Sequence, residues 1–217
     1  MRGSASSLNN APESMKSIAG AWGRIADGGE ATCLNRVFMN GLDCTDVRDL
    51  TRGEIEGRRQ ALLAIEALRR YAPGFENARL RDFGMTLGTR DSRKIVGRYD
   101  ITAQDVRDQA RFDDSIGIFP ELIDGYGVLS PPTTGRYFQA PYGILVPRDV
   151  GNLLVAGRCV AGDKVSHAAI RGQMCCTVTG QAAGVAAAVP LRDGGSTSPV
   201  DIARVQSALK NQGVRIF

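Results

Sequence analysis

The run from Asn152 to Val189, NLLVAGRCVAGDKVSHAAIRGQMCCTVTGQAAGVAAAV, constrains this chain more than any other. It reads as a short buried strand at Leu153 to Ala156, a turn at Gly157, an irregular polar loop holding His167, the only histidine, and a helix of almost purely small residues from about Thr177 to Val189. A strand feeding a glycine turn brings backbone N–H groups close to a bound group. A helix start behind it favours negative charge there, by about 0.3–1 kcal/mol when exposed. The segment is therefore expected to touch a ligand.

Composition narrows the classes around that segment. The 217 residues are 43% hydrophobic and 23% charged, which suits a soluble globular chain with one core. Val178 to Val189, the longest weakly polar run, falls far short of the ~20 residues a membrane span needs, and Gly180 and Gln181 interrupt it. The opening MRGSASSLNNAPES lacks the apolar stretch of a signal peptide, so the expected compartment is cytoplasmic. The net charge of +4 is scattered among interleaved acids and bases, which argues against a nucleic-acid partner. Five cysteines (Cys33, Cys44, Cys159, Cys175, Cys176) form no C-x-x-C pair, so no metal site is expected. The vicinal Cys175 and Cys176 raise thiol chemistry, against the plainer reading of small side chains buried at a helix entry.

In chain order, Met15 to Ile25 is compatible with a short amphipathic helix, and Cys33 to Asn40 has the apolar content of a strand. Thr51 and Glu54 have capping-box spacing. Ile55, Leu62, Ile65 and Leu68 then share one face of a helix that ends near Tyr71, before Ala72-Pro73-Gly74. Between Ala78 and Thr102 the pattern predicts short strands around the arginine-dense turn GTRDSR. Arg90, Arg93 and, less so, Arg98 are candidates to bind an anionic or carbonyl group, or are simply a solvated edge. Thr102 to Gln109 reads as a short capped helix. Phe112 to Gly143, rich in Gly, Pro, Asp and aromatics, reads as a long irregular excursion with short strands that lines a pocket; Tyr126, Tyr137 and Tyr142 are its candidate donors or wall.

Several strings, in order, carry a resemblance: DLTRGEIEGRRQALLAIEALRRYAPGFENARL, GTRDSRKIVGRYDIT, PYGILVPRDVGNLLVAGRCV, TGQAAGVAAA and the closing NQGV. Together they resemble the C-terminal half of FAD-dependent oxidoreductases with a two-dinucleotide-type flavin domain. The resemblance implies an α/β (mixed α+β) fold, in which a β-rich substrate portion (1–143) joins the C-terminal part of a Rossmann-like FAD-binding fold (144–217). It further implies that Ala156, Gly157, Arg158 and Cys159 lie along the flavin's ribityl chain. Gly172, Gln173, Cys175, Thr177, Gly180 and Gln181 would then belong to a helix whose N-terminus faces the isoalloxazine, where reduced flavin carries negative charge.

One element of such proteins is missing from the sequence. No strand here is followed by G-x-G-x-x-G and a helix, the unit that holds the FAD pyrophosphate, and Gly28-Gly29 and Gly194-Gly195 follow no buried strand. Met1 and a closing helix (Ser198 as cap, Pro199 in its first turn, Gly213 as stop) favour a split gene over a fragment. The expected partner is a larger flavoprotein subunit carrying G-x-G-x-x-G, whose sheet the strand at Leu153 to Ala156 would join.

SHAAIR is similar to a stretch that in fumarate reductase and aspartate oxidase-like flavoproteins places a histidine and an arginine near a substrate carboxylate. By that likeness His167 and Arg171 are the candidate catalytic pair, with Asp163, Lys164 and Ser166 beside them. The reading is an FAD-dependent dehydrogenase or reductase subunit that transfers a hydride between flavin N5 and a small molecule with apolar surface. The alternatives are a thiol or disulfide-linked flavoprotein using Cys175 and Cys176, and a non-catalytic subunit that buttresses a partner's flavin.

Overall fold

The computed structural model describes residues 24–25, 31–32, 37–125, 128–191 and 200–217, and the chain divides into two compact units, 1–89 and 90–217. The division expected at 143/144, by ligand, falls within the second unit. Among the described residues no helix is long and apolar enough to cross a membrane.

In the first unit, strands β1 (Arg24–Ile25) and β2 (Ala31–Thr32) pair antiparallel. The rest of the helix expected from Met15, and Cys33 to Arg36 of the expected strand, lie outside the described residues, while Val37 to Asn40 has no regular structure. The dominant element is helix α1 (Val47–Tyr71). It begins four residues before the predicted cap, because Asp46 is the residue whose carboxylate accepts a first-turn N–H, from Arg48 at 2.8 Å. Thr51 instead donates to the Val47 carbonyl, and Glu54 accepts from the Leu87 N–H. The C-terminus is as expected: Ala72 turns extended before Pro73, and Gly74 takes a positive φ. The buried face is rotated from the predicted one. Gly53, Ala64, Ala67 and Leu68 are buried, whereas Ile55 and Leu62 are more than half exposed. The reason is close approach: a Cβ on Gly53 would stand 2.8 Å from Leu42 Cδ1 and 2.9 Å from Leu87 Cδ2, so the small residues take the inner face.

The strands expected between Ala78 and Thr102 do not form. In the second unit residues 95–101, bent at Arg98 and Tyr99, are tied to two separate segments rather than along one partner. Ile95 N–H donates to Cys159 O (3.0 Å), Arg98 N–H to Val146 O (2.9 Å), and Gly97 and Ile101 make single bridges to Pro147 and Gly162. Helix α2 (Ala103–Arg107) follows, capped by Thr102 as expected, and in the structure Asp105 completes a capping box with it.

The excursion from Phe112 is more regular than its composition suggests. β3 (Ser115–Pro120) pairs antiparallel with β6 (Tyr137–Pro141), and β4 (Ile123–Gly125) pairs with β5 (Val128–Ser130) in the connection between them. Phe119 and Phe138 are register partners, stacked edge to face at 5.6 Å in a core with Ile116, Ile144, Leu145, Ile170 and Leu209. After a single-turn 3-10 helix (Tyr142–Leu145), the segment Leu153 to Ala156, expected as a strand, has no regular structure and no ladder, its backbone bond being Val155 N–H to Leu145 O (2.9 Å), and Leu153 is 44% exposed. Parallel pairing among the described residues is confined to the Ile101–Gly162 bridge.

His167 lies on helix α3 (Lys164–Ile170) rather than in a loop, since Asp163 caps it through the Val165 and Ser166 N–H groups. The small-residue helix α4 runs Gln173–Leu191, four residues earlier than predicted. Its small side chains serve close packing: a Cβ on Gly117 of β3 would stand 2.5 Å from Val178 Cγ1. Helix α5 (Ile202–Asn211) is capped by Asp201; the predicted caps Ser198 and Pro199 lie outside the described residues. Gly213 stops it with φ +85° while the Val214 N–H reaches back to Leu209 O.

Candidate functional site

Residues 156–160 form a tight turn at one wall of a cleft of about 370 Å³ lined by Ser92, Arg93, Ala156, Arg158 and Cys159. Gly157 makes the turn with φ +77°, and a Cβ there would meet nothing within 4 Å, so glycine is required by the backbone and the space beside it is open. Its N–H donates 3.0 Å to Thr179 Oγ1 on α4, and the same hydroxyl lies 3.0 Å from Cys175 O and 3.1 Å from Cys176 O. Thr179 is fully buried. It fixes the turn to the helix, and sequence reasoning missed it; the only signal was a lone hydroxyl on an otherwise apolar helix face.

Behind the turn lies His167, 1% exposed. Its Nε2 is 2.9 Å from Arg158 O, and its Nδ1, which makes no hydrogen bond, is 3.7 Å from Asp91 Oδ1. A carbonyl only accepts, so Nε2 carries the proton in this pair. Burial holds the imidazole below its ordinary pKa, against the bond to Arg158 O and the Asp91 charge, while Lys94 and Arg171 add to the lowering. Asp163 locks the same helix to α2 by accepting the Ala103 N–H (2.8 Å). Burial alone would raise its pKa, but the N–H groups of Ser166, Ala103 and Val165 outweigh that and hold it below the ordinary value. Ser166 donates to Ile101 O at 2.7 Å, a structural bond.

Arg171 is not among the residues that line the cleft. Its Nη2 donates to the Asp124 backbone O and stands 3.6 Å from Asp124 Oδ2, an oxygen that Arg90 Nη1 reaches at 3.4 Å. Two expected anion-binding arginines therefore converge on a carboxylate of β4. Arg93 is the one of the three candidates that reaches the cleft. The tyrosines part company. Tyr142 is buried and its hydroxyl pKa is pushed up to about 12 by that burial, partly offset by Arg98. The Tyr137 ring lies 4.0 Å under the Arg111 guanidinium, and Tyr126 falls outside the described residues.

On α4, Gln173, Thr177 and Gly180 are exposed, and Gln181 Nε2 donates to Gln212 Oε1 at 2.8 Å. The Cys175 thiol is buried, bonded to Ala169 O, and pushed up to about 12 by desolvation. Burial also raises Cys176. Both are free thiols, and the burial that raises them works against the thiolate that thiol chemistry requires. No cluster of metal-ligating side chains occurs among the described residues.

The structure thus gathers Arg93, Ala156, Arg158 and Cys159 at one cleft, with Gly157, His167 and Thr179 supporting its wall. Ser92 and Asp91 join them from the GTRDSR turn, where only the arginines drew attention in the sequence. Among known proteins, a family model described as FAD dependent oxidoreductase matches residues 9–209. No curated protein and no solved structure matches the chain.

Proposed function

The chain belongs to the FAD-dependent oxidoreductase family, whose members bind FAD, and we propose that it supplies the flavin-ring end of such a site while a second polypeptide supplies the pyrophosphate end. The observation that carries this is the Gly157 turn. A positive φ with open space at the missing Cβ lets the backbone approach a planar group, and Arg93 and Arg158 place cationic side chains at the same cleft. These residues fit the ribityl and ring portion of FAD. They do not fit its pyrophosphate, for which the sequence holds no G-x-G-x-x-G.

When bound, FAD supplies two-electron chemistry, accepting or giving a hydride at N5. The chain's own contribution is to bind and to orient. Arg158 and the 156–160 turn hold one wall, Arg93 offers guanidinium N–H groups to a carbonyl or anionic oxygen, and the first turn of α4 favours negative charge nearby. His167 acts in this reading through the wall it supports, by its bond to the Arg158 carbonyl, while Arg171 is committed to Asp124 of β4 and not to the cleft. The substrate side is assigned to the 112–143 excursion, whose aromatic content suits a small molecule with apolar surface. The burial of Cys175 and the half-burial of Cys176, which raise both thiols, weigh against the thiol alternative.

The test is reconstitution. The full chain is co-expressed with the product of whatever adjoining gene carries a G-x-G-x-x-G unit, purified and incubated with FAD. Flavin absorbance that co-purifies only when both chains are present is the expected result. Tight FAD binding by this chain alone, or a colourless complex after reconstitution, overturns the proposal.

A further inference from the structure

The cleft is walled by two segments about sixty residues apart: Ser92 and Arg93 from the first, Ala156, Arg158 and Cys159 from the second. One buried side chain stands between the chain segments that carry them. His167 Nε2 is bonded to Arg158 O in the second wall, and Nδ1 faces Asp91, immediately before the first. We propose that His167 is a positioning residue that bolts the two walls of the cleft together, by a constant bond from Nε2–H to the Arg158 carbonyl and a second, proton-dependent bond from Nδ1 to the Asp91 carboxylate.

Three observations support this. The ring is fully buried, so its orientation is fixed by packing and its bonds are not shared with bulk water. The acceptor at Nε2 is a carbonyl, which settles the neutral tautomer and leaves a lone pair on Nδ1. That lone pair is the one buried side-chain N or O atom without a hydrogen bond among the described residues. Finally, Asp91 Oδ1 at 3.7 Å is just beyond hydrogen-bond reach, a gap that a proton on Nδ1 would close as a charge-assisted bond. The charged groups acting on the ring are Asp91 and Lys94 from the first-wall segment and Arg171 from the end of its own helix. Asp91 favours the proton; the two cations oppose it. Lys94 also holds Asp91 at 3.0 Å, so the carboxylate stays oriented when Nδ1 is bare. The bolt is thus half drawn at neutral pH and fully drawn on acidification. This inference goes beyond the flavin reading and stands without it, since it concerns the walls and not their ligand.

His167 is the only histidine, so the full chain gives a single imidazole signal without assignment. Nitrogen-detected NMR on histidine-labelled protein should show the Nε2–H tautomer at neutral pH and a midpoint below the ordinary value of about 6.5. Asp91→Asn should move the midpoint down by a further ~1 pH unit. A mixed tautomer with an ordinary midpoint, or a midpoint that Asp91→Asn leaves in place, overturns the proposal. The second readout is Cys159, in the wall itself. Its alkylation by iodoacetamide, followed by peptide mass spectrometry, should rise about threefold or more in His167→Leu as the wall loosens. It should return towards wild type in His167→Gln, whose amide N–H can replace Nε2–H. Equal rates in all three proteins, or a Gln variant that behaves as the Leu variant, also overturn it. Should His167→Leu not fold, the titrations of wild type and Asp91→Asn decide alone. No FAD is present in either measurement, so failure of the flavin proposal leaves both outcomes readable.

Discussion

Thr179→Val isolates the second tie on the Gly157 turn. Valine fills nearly the volume of threonine, so the packing of a fully buried position is retained and only the hydroxyl is lost. That hydroxyl has a single proton, shared between the Cys175 and Cys176 carbonyls, and it accepts the Gly157 N–H at 3.0 Å. Both carbonyls lie within α4, so losing the hydroxyl donor costs them little. Gly157 N–H loses its acceptor. A stranded donor costs about 1–3 kcal/mol, and because Gly157 is only half-buried, water recovers part of that, which places the cost near ~1–2 kcal/mol. At about 1.4 kcal/mol per factor of ten, the Gly157 amide should exchange with solvent deuterium roughly tenfold faster in the variant. Thr179→Ser is the control. It keeps the hydroxyl and removes one buried methyl, so it lowers global stability by about 0.8 kcal/mol but leaves the Gly157 amide protected. If the valine variant kept wild-type protection at Gly157, or the serine variant lost as much, the hydroxyl would not be what holds the turn.

Gly157→Ala should destabilise the chain by about 1–2 kcal/mol in urea unfolding even though no atom lies within 4 Å of the new methyl, because the cost is the left-handed backbone; a neutral result would show that the turn can relax to negative φ. In the first unit, Leu68→Ala should cost about 2–5 kcal/mol and Ile55→Ala within about 0.5, although the sequence places both on one apolar face and so suggests similar costs. Cys175 should resist iodoacetamide at pH 8 in the folded chain and react only on unfolding, given a thiol pKa near 12. Acid should destabilise the 163–171 region first. Asp163 has a native pKa below its unfolded value, so its contribution is complete above the ordinary aspartate range and is lost as pH falls through the native pKa. The buried, pKa-lowered His167 removes stability as pH drops below the ordinary histidine value. Asp163→Asn should flatten the lower part of that profile in pH-dependent thermal melts.

What was legible in the sequence was local. Thr102 at the start of α2, Gly213 at the end of α5, Ala72-Pro73-Gly74 at the end of α1 and Gly157 in its turn each announce themselves through backbone chemistry within a few residues, and each stands where the pattern put it. The family was legible too, through several strings in order. Where expectation failed, a contact distant in the chain had decided the matter. Ile55 is exposed because Gly53 must meet Leu42 and Leu87, and Glu54 is drawn from the predicted cap to the Leu87 N–H. The strand expected through Gly97 forms no ladder, since a Cβ at Gly97 would stand 2.5 Å from Ala161 Cβ and the chain there is shared between two separated partners.

The same distinction governs the site. A glycine in a turn states what the backbone must do, but not what keeps it doing so. That depends on Thr179, 22 residues on, and on His167, whose imidazole meets Arg158 O nine residues back and Asp91 far upstream. Both supporting residues looked in the sequence like something else: Thr179 like filler in a small-residue helix, His167 like an acid–base group open to substrate. Burial separates the two roles. A proton donor or acceptor for substrate must reach the cleft, and a ring that is 1% exposed with one nitrogen committed to a carbonyl can move a substrate only by moving the wall. On that argument the catalytic power of any site built on this cleft is set by how rigidly residues 156–160 are held, and the variants that loosen the turn, Thr179→Val and His167→Leu, should weaken binding of any ligand seated there without altering a group that touches it.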